Sequence, residues 1–132
     1  MMFYFKEIKS ENQEIKLPIF KNNNIRVFIK REDLIHSIIS GNKFRKLKYN
    51  VEKALNEKKD QIITFGGAFS NHILATAYIG KLTNLKTIGI IRGDELLNKK
   101  LNSTLQNCKN FGMKFLFISR ADYKKRNNAE YI

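Results

Sequence analysis

Three short apolar runs alternate with stretches of helical period, and this alternation narrows the possible folds more than anything else in the chain. The runs are Gln61-Ile62-Ile63-Thr64-Phe65, Lys86-Thr87-Ile88-Gly89-Ile90-Ile91 and Lys114-Phe115-Leu116-Phe117-Ile118. Each has strand length and is rich in β-branched or aromatic residues, as a buried strand is. Phe44, Leu47, Val51 and Leu55 recur at helical spacing and predict a helix following Lys43. Ile73-Leu74-Ala75-Thr76-Ala77-Tyr78-Ile79 is apolar almost all round, which predicts a buried helix near 71–82. Leu97, Leu101, Leu105 and Cys108 predict a third helix, with Gly112 as its stop. Strands alternating with helices imply right-handed crossovers and a mainly parallel sheet with flanking helices, an α/β fold. Upstream, Arg26-Val27-Phe28-Ile29-Lys30 reads as a strand. Residues 1–24 read as polar and irregular, with Pro18 and the loop Asn22-Asn23-Asn24. No internal repeat, low-complexity linker or clean domain boundary is visible.

Composition sets the remaining bounds. With 132 residues and 42% hydrophobic content, the chain can bury a core as one domain or part of one, and it is not of disordered type. Its net charge of +13 raises the question of a nucleic-acid partner. Such a footprint needs basic residues clustered on a face, whereas these are spread along the chain, so no nucleic-acid ligand is expected. Cys108 is the only cysteine, which excludes an internal disulfide or a cysteine metal cluster and reads as a buried inert thiol. His36 and His72 stand far apart and give no support to a zinc site. The apolar start Met1-Met2-Phe3-Tyr4-Phe5 meets Lys6 at once, too early for a signal or membrane segment, so a cytoplasmic location is expected.

Two segments carry candidate chemistry. Ser40-Gly41-Asn42-Lys43-Phe44-Arg45-Lys46-Leu47 puts a lysine between a tight turn and the start of a helix. The positive helix end, with Arg45 and Lys46, disfavours an ammonium there, and a neutral lysine amine is a nucleophile for aldehydes. The same residues also suit a basic first turn of a surface helix. Gly66-Gly67-Ala68-Phe69-Ser70-Asn71-His72 follows one predicted strand and precedes the buried helix. Strand, glycine turn, polar cap and helix together present backbone N–H groups to an anion. Ser70 and Asn71 equally suit plain helix capping.

Taken together, Lys30-Arg31-Glu32-Asp33-Leu34, Ser40-Gly41-Asn42-Lys43 with Arg45-Lys46-Leu47, Gly66-Gly67 and Ser70-Asn71-His72 resemble the 1-aminocyclopropane-1-carboxylate deaminase / D-cysteine desulfhydrase family. The resemblance runs from about Ile25 to the end of the chain. It implies a pyridoxal-phosphate enzyme of the tryptophan-synthase β-like fold (fold-type II) acting on a small amino acid, with ammonia and a 2-oxo acid as products and sulfide as well from D-cysteine. By the same resemblance Lys43 would bind the cofactor covalently and later move a proton, and Asn71 would hydrogen-bond its O3′ oxygen. Ser70, Asn71 and His72 would hold the substrate carboxylate, with Ser70 also in a catalytic role. The family's deaminases often carry glutamine at the position of His72, so the histidine leans toward the desulfhydrase. The family's layout would make residues 1–43 the opening of a larger cofactor domain. Residues 44–132 would form a small α/β domain and the start of the return. The rest of the large domain, with the phosphate loop, the partner of the ring nitrogen and a substrate tyrosine, would be absent. On that expectation the full-length form is a homodimer and this chain alone is weakly active or inactive. The competing expectation is a truncated, non-catalytic α/β fragment or binding module.

Overall fold

The structure, a computed structural model, describes residues 9–131. The apolar start at Met1–Phe5 lies outside the described residues. The first elements are β1 (Asn12–Ile15), the short helix α1 (Pro18–Asn22) and β2 (Val27–Lys30). β1 and β2 pair antiparallel in a two-stranded sheet of their own. The segment read as irregular thus holds a strand and a turn of helix. Pro18 opens that helix at its first turn, where the missing N–H costs nothing. Asn12-Gln13-Glu14-Ile15 has no apolar alternation to reveal it, because this strand is defined by its pairing with Val27–Lys30.

The remainder is a parallel α/β layer. It runs α2 (Asn42–Asn56), β3 (Gln61–Gly67), α3 (Asn71–Thr83), β4 (Lys86–Arg92), α4 (Ser103–Asn110), β5 (Lys114–Ile118) and α5 (Arg120–Lys124). The strands lie in the order β3-β4-β5, both pairs parallel, with Phe65 level with Ile90 and Ile90 level with Leu116. Two apolar clusters meet on opposite sides of α3. One joins Phe44, Leu47 and Val51 of α2 to Ala75 and Ile79. The other joins Ile73 and Ala77 to Ile91, Leu105, Cys108 and Met113. This two-sided burial explains why α3 is apolar all round.

The third helix is shorter than its leucine spacing predicts. Leu97 is largely exposed after a 3₁₀ turn at Asp94–Leu96, and α4 begins only where the Asn102 side chain accepts from the Leu105 N–H. Leu101 packs against the core from the loop. Gly112 does close α4, at φ +92°, which favours glycine.

Because the strands follow chain order, α3 and α4 both cover the same face of the sheet. The other face carries Ile63, Phe65, Ile88, Ile90, Leu116 and Ile118, and Ile63 and Leu116 are 53% and 54% exposed. Only Tyr123 of α5 reaches toward it among the described ring contacts, edge-on to Phe65 at 6.1 Å.

Candidate functional site

The lengths of α2 and β3 bring the two candidate segments together. Fifteen residues of helix span about 22 Å. Seven residues of strand span roughly 23 Å. α2 leads through a short turn into β3, so the chain reverses and the start of α2 returns to the level of the end of β3. Lys43, in the first turn of α2, and the β3–α3 turn therefore lie at the same end of the sheet. This is the carboxyl end of the strands, where open α/β folds bind ligands.

The loop before Lys43 is held by its backbone. Gly41 is the N-cap residue of α2 at φ +60°, a conformation that side chains rarely adopt. Its N–H donates to the Glu32 carbonyl at 2.7 Å. His36 Nδ1 accepts from the N–H groups of Ile38 and Ile39, which folds the loop over α2. Lys43 is partly exposed, and its Nζ donates to Asn42 Oδ1 at 2.7 Å.

The β3–α3 turn is built for close packing and an open mouth. A Cβ on Gly66 would stand 2.4 Å from Ile73 Cγ1, whereas one on Gly67 would meet nothing within 4 Å. Gly66 is thus required by the strand-to-helix approach, and Gly67 borders free space. Ser70 caps α3, accepting from the Ile73 N–H at 3.5 Å, a weak bond. Its carbonyl accepts from Leu74 N–H. Asn71 and His72 are the first two residues of α3, and N–H groups at that position have no intrahelical acceptor. Together with the helix dipole they form a place for an anion.

His72 is partly buried and shares a 2.8 Å hydrogen bond between its Nε2 and Thr64 Oγ1. Burial pushes its imidazole below the ordinary histidine range, and the charges of Lys43 and then Lys46 push it the same way. Both lysines are therefore within electrostatic reach of His72. The site joins a primary amine, an uncharged imidazole at neutral pH, a hydroxyl and a helix N-terminus.

Three residues of this region are not evident from sequence. Thr64 sits inside an apolar strand with no signal of its partner. Asn102 donates from Nδ2 to the Ala68 carbonyl at 3.0 Å, tying α4 to the glycine turn, but the leucine spacing disguised it as mid-helix. Glu32 stands within the charged run Lys30-Arg31-Glu32-Asp33, yet its bond to Gly41 lies beyond any local pattern. Among the described residues, no cluster of three His, Cys, Asp or Glu side chains could hold a metal. No described helix is long and apolar enough to cross a membrane.

The fold is an α/β layer whose candidate residues, Lys43 and the Ser70–His72 turn, lie at the carboxyl end of a parallel sheet. No protein-family model matches the chain. Among known proteins, it is 40% identical over 75 residues to the bifunctional D-cysteine desulfhydrase/1-aminocyclopropane-1-carboxylate deaminase, mitochondrial, of Arabidopsis thaliana, covering 57% of this chain and 19% of that protein. It is 33% identical over 95 residues to the D-cysteine desulfhydrase of Salmonella paratyphi B, covering 62% of this chain and 29% of that one. A crystal structure of an ACC deaminase homologue superposes with a TM-score of 0.69 at 32% identity, covering 93% of this chain and 37% of that chain. The chain is thus similar in sequence to 1-aminocyclopropane-1-carboxylate deaminase and D-cysteine desulfhydrase proteins, and it shares the fold of the ACC deaminase homologue over the matched part. It spans about a quarter of the length of the curated relatives it matches.

Proposed function

We infer that the chain carries the lysine and the carboxylate-binding turn of a pyridoxal-phosphate-dependent enzyme. Its substrate is a small amino acid, 1-aminocyclopropane-1-carboxylate or D-cysteine, and its products are ammonia and a 2-oxo acid. What supports this reading is placement: the start of α2, with Lys43, lies at the same end of the parallel sheet as the β3–α3 turn, with Ser70, Asn71 and His72. Similarity to a D-cysteine desulfhydrase and to a bifunctional desulfhydrase/deaminase supports that reaction class.

The donor set suits the cofactor. Lys43 offers a primary amine for its aldehyde, and Asn71 offers an amide to its ring oxygen. The space beside Gly67 is open. Bound pyridoxal phosphate would supply the electron sink. The chain's own residues do the positioning. The N–H groups of Asn71 and His72, with the Ser70 hydroxyl, hold the substrate carboxylate at the positive end of α3. Thr64 fixes the His72 ring, and an uncharged imidazole there can donate to a carboxylate without adding a third cation to Lys43 and Lys46. Lys43, being a primary amine beside that site, accepts and returns a proton at Nζ.

On the same reading, residues 1–43 open a larger cofactor domain and residues 44–132 form a small α/β domain and begin the return. The separate β1–β2 pair supports that division. The full-length form is a homodimer working in the cytoplasm.

The test is spectroscopic. The chain is mixed with pyridoxal phosphate and titrated with D-cysteine and with 1-aminocyclopropane-1-carboxylate, while ammonia is assayed. The expected result is a saturable spectral change that is lost in Lys43→Ala and weakened in Ser70→Ala, with little ammonia from this chain alone. No saturable change with either amino acid would overturn the reading.

A further inference from the structure

Glu32 belongs to a charged motif with no role in the site, yet it grips the segment around Lys43 at two points and the chain before β1 at a third. Its backbone carbonyl accepts the Gly41 N–H at 2.7 Å. Its carboxylate takes Arg45 through two nitrogens, Nη2 on Oε1 at 2.8 Å and Nε on Oε2 at 3.1 Å. Ser10 Oγ donates to the same Oε1 at 2.8 Å, and Lys30 Nζ donates to the Ser10 carbonyl at 2.9 Å. The network thus joins β2, the segment before β1 and the first turn of α2.

We propose that Glu32 is the positioning residue for Lys43, fixing both the turn that precedes it and the rotation of the helix that carries it. The proposal rests on Lys43 being the functional amine. Successive residues of an α-helix turn by about 100°, so Arg45 projects roughly 200° away from Lys43. Anchoring Arg45 on the Glu32 side therefore turns Lys43 toward the opposite side, where His72 feels its charge. The first turn of α2 has no acidic residue of its own. Lys43, Arg45 and Lys46 would otherwise crowd three cations at a positive helix end. Glu32 supplies the counter-charge from another element and holds Arg45 away from the amine. A lone exposed ion pair would have little effect, but a two-point Arg–carboxylate contact within a network holds geometry. The Glu32 carboxyl lies at about 2, lowered first by Arg45 and then by Ser10, so the brace stays charged throughout the neutral range.

The test uses the whole chain and has two arms. In the first, without cofactor, amide hydrogen exchange is followed at Gly41, whose N–H donates to the Glu32 carbonyl, in wild type, Glu32→Gln, Arg45→Met and the double variant. Exchange is expected to quicken roughly tenfold in each single variant, the weight of a lost charge-assisted bond. The double variant should be no faster than either single, since both remove one contact. Unchanged exchange, or losses that add, would overturn the proposal. In the second arm, pyridoxal phosphate is added, reduced in place with borohydride and mapped by peptide mass. Wild type should carry the label on Lys43, and Glu32→Gln should shift it toward Lys46 while circular dichroism and melting stay near wild type. Retention of Lys43 selectivity in Glu32→Gln would also overturn it. Wild type unlabelled at Lys43 would instead defeat the functional reading, and the exchange arm would still decide the brace.

Discussion

Two adjacent glycines in the β3–α3 turn should respond to the same substitution in opposite ways. In Gly66→Ala the new Cβ would stand 2.4 Å from Ile73 Cγ1, 2.8 Å from Ile73 Cδ1 and 3.3 Å from Ser70 Cβ. Ile73 is fully buried between the sheet and α4, so it has nowhere to retreat. Overpacking of this kind costs about 1–3 kcal/mol. The loss of unfolded-chain freedom returns about 0.4–1 kcal/mol, leaving a net loss on the order of 1–2 kcal/mol. For a chain of this size that is a drop in melting temperature of roughly 3–10 °C. In Gly67→Ala the Cβ would meet nothing within 4 Å, and Gly67 is not among the positive-φ glycines. Only the entropic gain remains, so that variant should match wild type or exceed it by up to about 1 kcal/mol. Urea unfolding followed by circular dichroism measures both, with the midpoint moving at constant slope. Equal losses in the two variants, or a neutral Gly66→Ala, would refute the assignment of Gly66 to packing and Gly67 to the open mouth.

Stability should fall as pH drops below about 6.5, the ordinary histidine value, because the folded protein holds His72 below that value and the unfolded chain binds the proton first. The stabilising effect is complete above that pH, and urea midpoints for His72→Gln should show a shallower fall. Cys108 is buried and its thiol is pushed up to about 11 by burial, so native protein at pH 8 should react with a thiol reagent only on unfolding. Immediate native labelling would contradict that placement. The bare sheet face at Ile63 and Leu116 should drive self-association, and Leu116→Lys should reduce it in light scattering while shifting stability by no more than about 0.5 kcal/mol.

The parallel layer was legible because its strands and helices each carry their own period. Ile73 through Ile79 announced burial on both sides, and Phe44, Leu47 and Val51 announced one buried stripe. Elements made by distant partners were not legible. β1 has a polar sequence and exists through its pairing with β2. The start of α4 is set by an Asn102 cap, while the spacing of Leu97 and Leu101 to Leu105 imitates an earlier helix. Of the candidate site, the helix start at Asn42–Lys43 and the Ser70 cap were readable from turn and cap chemistry. The bonds of Thr64 to His72, Asn102 to Ala68 and Glu32 to Gly41 were not, because each joins elements that only the fold brings together.

The proposed function makes Lys43 the amine that this fold prepares for an aldehyde cofactor. Substoichiometric pyridoxal phosphate, trapped with borohydride and located by peptide mass, puts that role to the test. The chain is rich in lysine, so an unprepared surface would scatter the label. One dominant modified site at Lys43 is expected, disappearing in Lys43→Ala without reappearing elsewhere. A label spread evenly over the lysines, or one unaffected by Lys43→Ala, would contradict it.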